Sequence, residues 1–172
     1  MYRYRSYIWL FLIALSAQLF ILNNLSLSIW LRPMIFSAAV LLLPVEWRTV
    51  WVLVTAAAAG WTLDMATGCQ GLYTASLLPL AMVRGAIVRL TANRSVEPSD
   101  QTEVLVSLSR KQLFIYLAAG IVLHHAMFFF LETMSFTFFW QTAGRIFAGS
   151  ALALALVWPG AAWFMSNESS GQ

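Results

Sequence analysis

The sequence predicts an all-α integral membrane protein, a six-transmembrane-helix bundle with both termini cytoplasmic and one domain spanning residues 1–172. Three observations predict it. Apolar residues make up 60% of the chain and charged residues 10%, against roughly 45–50% and 25% in a soluble domain. Mean hydropathy is +0.75, and the apolar residues gather into runs near the ~20 residues that cross a bilayer. Lys and Arg fall mostly on one side of those runs. This composition excludes an ordinary soluble enzyme and a disordered chain. It also excludes a nucleic-acid binder, because ten Lys and Arg spread over the span boundaries form no basic stripe.

The first span runs from Tyr7 to Leu22 and stops at Asn23-Asn24. Ala14-Leu15-Ser16-Ala17 after Arg3 and Arg5 has the look of a signal-peptidase site. Hydrophobicity resumes directly at Leu19–Leu22, which favours an uncleaved helix. The second span opens at Pro33, a good first helical position, and reaches Leu43-Pro44. It is short, so it must sit in a thinned or protein-lined place or borrow residues from Leu25–Leu31. The third runs from about Thr49 to Leu63, the fourth from Leu72 to Leu90, the fifth from Leu113 to Leu131, and the sixth from roughly Thr142 to Phe164.

With the N-terminus inside, the inner side collects Arg3, Arg5, Arg48, Arg84, Arg89, Arg94, Arg110 and Lys111, and the outer side keeps Arg32 and Arg145. The reverse orientation would invert that bias. The inner loop, 91–112, is the one extended polar stretch. It holds the turn-forming Val96-Glu97-Pro98-Ser99-Asp100, and Asp100 with Glu103 has capping-box spacing. Val104, Leu105 and Leu108 then share a helical face. That pattern fits a short helix on the inner membrane surface, or an N-terminal extension of the fifth span. The chain shows no repeat of fixed period, and Cys69 stands alone without metal-ligand spacing.

Ionisable side chains inside apolar runs are functional candidates by default. Asp64 lies sixteen residues past Arg48, roughly 24 Å along a helix, so it is expected to reach outer interfacial water. Arg84, roughly 9 Å from the inner end of the fourth span, can snorkel as an anchor or form a buried functional pair. A direct Asp64–Arg84 pair is not expected, since the two lie toward opposite faces. His124, Phe128 and Glu132 share a face of the fifth span, and His125 nearly aligns with Glu132. A proton relay or metal site would use such groups, but adjacent histidines point about 100° apart and cannot easily hold one ion. Interhelical hydrogen bonding, with Glu132 as an interfacial cap, fits better. Glu132 and Arg145 can pair across the fifth and sixth spans. Phe136, Phe138, Phe139 and Trp140 between them read as an interfacial belt rather than a substrate cage. No nucleophile elbow, Walker loop, HExxH or paired catalytic carboxylates appear. The sequence therefore predicts no enzyme activity, no cofactor and no metal.

Several segments resemble the rod-shape-determining protein MreD family, particularly its Bacteroidetes-like forms. They are Leu22-Asn23-Asn24-Leu25-Ser26-Leu27, then Arg32-Pro33 leading to Leu41-Leu42-Leu43-Pro44, and His124-His125 through Glu132. The family's best-known stretch reads here as Gly60-Trp61-Thr62-Leu63-Asp64-Met65-Ala66-Thr67-Gly68-Cys69-Gln70-Gly71-Leu72. Cys69-Gln70 stands where the family often has small or Pro-containing residues.

The resemblance implies a bundle similar to the substrate-binding subunits of energy-coupling-factor transporters, in the bacterial inner membrane. It also implies a non-enzymatic partner of MreC, acting with MreB, RodA and a class B penicillin-binding protein in lateral peptidoglycan synthesis. Asp64, Gly68 and Gly71 would then shape the outer loop, and Asp64→Ala or Gly68→Leu should weaken MreC binding while the bundle still inserts. The rival reading is a vitamin-type transport subunit with His124, Glu132 and Arg145 lining an outer pocket. Its docking motif on the first span would rest on Ala14 and Ala17 alone. An intramembrane enzyme acting on lipid-linked precursors lacks a nucleophile–base pair.

Overall fold

A computed structural model describes residues 2–22, 33–43, 47–91, 108–134, 137 and 139–170. The Leu25–Leu31 run, Pro44, the Val96–Asp100 turn, the Asp100–Glu103 capping pair, Val104, Leu105, Phe136 and Phe138 lie outside the described residues. All described regular structure is helical. The described residues form six α-helices: α1 (Tyr2–Ser16), continued by a π-helical stretch at Ala17–Leu22, then α2 (Phe36–Leu41), α3 (Thr49–Thr67), α4 (Leu72–Thr91), α5 (Arg110–Thr133) and α6 (Phe139–Ser170).

Among the described residues four segments are long and apolar enough to cross a membrane: α3, α4, α5 and Phe139–Trp163 of α6. Each is about 28 Å or longer at 1.5 Å per residue, enough for the hydrocarbon core. The protein is thus multi-pass by helix length and composition. Several hydroxyls within these helices are satisfied locally: Thr67 donates to the Leu63 carbonyl at 2.7 Å and Thr91 to Ile87 at 2.8 Å. This back-bonding removes the need for water beside them.

The second predicted span takes a different form. Its described helix, α2, has six residues, about 9 Å of rise, and all six are buried. Protein surrounds it on several sides, with α1, α4 and α5 all packed against it. The described part of this span, Phe36–Leu41, is thus lined by protein, one of the settings that its short length requires. Gln18 seats its start: the Ile35 N–H donates to Gln18 Oε1 at 3.0 Å, and Gln18 Nε2 donates to the Pro33 carbonyl at 3.4 Å. Phe11 of α1 meets Phe36 edge-on at 5.0 Å.

α5 begins three residues earlier than hydropathy suggests because of a cap. Ser109 Oγ accepts from the Gln112 N–H at 3.3 Å, and Gln112 Oε1 accepts from the Ser109 N–H at 2.9 Å. This reciprocal pair satisfies two otherwise orphaned donors.

Candidate functional site

The best-defined polar unit joins α3 to α4 in four residues. Gly68 ends α3 at φ 68°, and Gly71 precedes α4 at φ 94°. Both lie in the left-handed region that glycine enters without penalty. Gln70 between them also has φ 43°. The tight return brings the first turn of α4 onto Asp64. One carboxylate oxygen accepts from the Tyr73 N–H at 2.9 Å; the other accepts from the Thr74 N–H at 3.0 Å and the Thr74 hydroxyl at 2.7 Å. Asp64 is therefore buried, 4% exposed, rather than reaching interfacial water. Its charge is held by the N-terminal N–H groups and dipole of α4. One helical turn before Asp64, Gly60 sits directly on Thr74: a Cβ there would lie 2.6 Å from Thr74 Cα.

The α4–α5 interface carries a ladder of facing pairs. Tyr73 stacks on Phe128 at 4.9 Å, His124 lies against the Ser76 backbone, and Tyr116 is within hydrogen-bonding reach of Arg84. Arg84 does not snorkel. It is 4% exposed, and its Nη2 donates to the Leu43 carbonyl just past α2. The Tyr116 hydroxyl donates to the Leu41 carbonyl at 2.8 Å. Two side chains from different helices thus satisfy the carbonyls that end α2, as a buried helix end requires. Asp64 and Arg84 hold different partners, as their depths predict. Tyr116→Phe should cost about 1 kcal/mol, and Arg84→Leu about 2–3 kcal/mol because the acceptor loses a charged donor. Equilibrium unfolding of purified protein in nanodiscs would measure both.

On the α5–α6 side, Arg145 and Glu132 pair at 2.8 Å, the contact expected from their positions flanking the connection between consecutive spans. The Arg145 guanidinium also lies 4.4 Å over the Phe129 ring, within cation–π range. His125 Nδ1 bonds the Ile121 carbonyl of its own helix at 2.9 Å. His124 and His125 are both buried, with ring planes 85° apart. Among the described residues no three His, Cys, Asp or Glu side chains gather as a metal-binding group.

Gln18, Thr74 and Tyr116 were not singled out from sequence. Gln18 had a signal, an amide inside an apolar run. Thr74 and Tyr116 had none, because their roles come from what faces them. Between α1, α2 and α6 the surface also carries an apolar groove of about 600 Å³, with Trp9, Ala14, Ala39, Gly160 and Trp163 among its walls.

No family model, curated protein or solved structure matches this chain.

Proposed function

We propose that this chain is a non-enzymatic inner-membrane component of the bacterial cell-elongation machinery that maintains rod shape. It binds MreC and helps organise lateral peptidoglycan synthesis, within a larger complex of MreB, RodA and a class B penicillin-binding protein. One observation carries the reading. The stretch that corresponds to the family's best-known segment, Gly60 to Leu72, folds as one interlocked unit of close approach, carboxylate cap and glycine turn. Its polar groups are spent on building a rigid outer corner, which suits a scaffold more than a catalyst.

In this reading α1 and the segment containing α2 complete a six-span bundle like the substrate-binding subunits of energy-coupling-factor transporters, with both termini cytoplasmic. Cys69 is the one cysteine of the chain and lies in the α3–α4 turn. A membrane-impermeant maleimide added to intact spheroplasts should label it; labelling only after lysis would mean the opposite orientation.

Depletion in the host, followed by microscopy in rich medium, tests the function. Rods that round up and lyse with vitamin uptake unchanged are the expected result. Normal shape with a growth defect cured by one small nutrient would overturn it and favour the transport subunit.

A further inference from the structure

The groove between α1, α2 and α6 opens onto hydrocarbon. Its α6 wall, Leu156 to Trp163, falls inside the segment fit to cross a membrane, and its α1 wall inside the apolar run Trp9–Phe20. Ala38 and Ala39 of α2 lie between them. Every residue lining the groove is apolar. α1 packs on α2 through Phe11 and Phe36, whereas toward α6 the groove stands in place of a helix–helix seam.

The shape and chemistry of this space select its occupant. Polar ligands are held by a few placed donors, acceptors or charges, and here only the two Trp rings carry a polar atom. The α1 wall covers Trp9 to Ala17, roughly 12 Å of helix, so a volume of about 600 Å³ leaves a mean cross-section of about 50 Å². An α-helix with its side chains is about 10–12 Å across and needs ~80–110 Å². A helix is too thick to enter, and an extended hydrocarbon chain is not. Left empty, the walls lose dispersion contacts, and water does not settle where it has no polar partners.

The rim fits a headgroup. Trp9 and Trp163 line the groove and are both exposed, as amphipathic rings are where hydrocarbon meets headgroups. Trp9, Ile13 and Ala17 follow one another at four-residue spacing along one row of α1, and the next position of that row toward the N-terminus is Arg5. Arg3 precedes Leu10, another lining residue, by seven positions. Beyond Trp163 on α6 the one charged residue is Glu168, so the continuations of the two walls carry a net positive charge.

We propose that the groove binds one membrane phospholipid, its acyl chain lying along Ala14, Ala39 and Gly160 and its phosphate at the Arg3–Arg5 end of α1. The lipid supplies the contact between α1 and α6 that side chains do not. The inference stands independently of the elongation reading.

Gly160→Leu fills the groove without a clash, because a Cβ there meets nothing within 4 Å. Ala58→Leu, at an exposed position of α3, is the control. The full chain and its variants, reconstituted in vesicles of phosphatidylglycerol and phosphatidylethanolamine, are extracted in mild detergent and weighed by native mass spectrometry. Wild type and Ala58→Leu should each retain one phospholipid. Gly160→Leu should stay monodisperse and retain about tenfold less, and Arg5→Gln about fivefold less. A bare wild type, or equal retention in Gly160→Leu, would overturn the site, as would equal loss in Ala58→Leu. A polypeptide retained in place of lipid and released by Gly160→Leu would give the groove to a partner helix instead. Unchanged retention in Arg5→Gln would overturn the placement of the phosphate.

Discussion

Gly60→Leu is expected to remove most of the folded protein. A Cβ at this position would stand 2.6 Å from Thr74 Cα and 2.8 Å from its nitrogen. Both are backbone atoms, so no side-chain rotation relieves the clash, and α3 and α4 must separate. Separation also pulls Asp64, one turn away, off the Tyr73 and Thr74 N–H groups. Overpacking alone costs about 1–3 kcal/mol, and the lost cap adds to it. The sum is a large part of the roughly 5–15 kcal/mol that holds a domain together. Gly85→Leu is the control, since a Cβ there meets only the tip of Arg89 at 3.7 Å. The monodisperse yield and melting temperature of the two variants in one detergent decide it. Equal losses would mean that close approach at Gly60 does not matter.

Asp64→Ala is expected to destabilise the protein by about 3 kcal/mol. Three hydrogen bonds to a charged acceptor disappear, and the N–H groups of Tyr73 and Thr74 lose their partner in a buried place. The favourable charge at the N-terminus of α4 goes with them. Asp64→Asn keeps one acceptor oxygen and loses the charge, so it should fall between wild type and Ala. Hydrogen exchange at the Tyr73 and Thr74 amides should rise in the same order. An Asn variant as stable as wild type would show that charge contributes nothing to the cap. The burial of Asp64 also changes what a binding defect would mean. If Asp64→Ala weakens capture of MreC, the cause is a loosened α3–α4 corner, because the carboxylate itself is buried against α4.

Much of the architecture was legible from hydropathy. α3 to α6 appear where the long apolar runs stand, because a bilayer-length apolar helix needs little besides composition. The Glu132–Arg145 contact was legible for a related reason: consecutive antiparallel helices bring the two residues flanking their connection to one level. The ends were less legible. The Ser109–Gln112 box starts α5 at Arg110, although the residues just before Leu113 read as loop by polarity.

The second span and Arg84 mark where sequence reasoning left alternatives open. Hydropathy measures how much a segment avoids water, and both lipid and protein core satisfy it. The short second span could be thinned, extended or protein-lined, and in its described part Phe36–Leu41 is lined by protein. For Arg84, depth was readable and direction was not. Both snorkelling, the reading its depth favours, and burial are open to a cation about two turns inside a span, and the Leu43 carbonyl just past α2 decides for burial.

Composition and run length were enough to predict a helical membrane protein and its long helices. The partners of its buried polar residues came only with the packing. Arg84 meets a carbonyl 41 residues away, and Tyr116 one 75 residues away. Helical periodicity encodes the depth and face of a side chain. It does not encode which helix will lie across from that face.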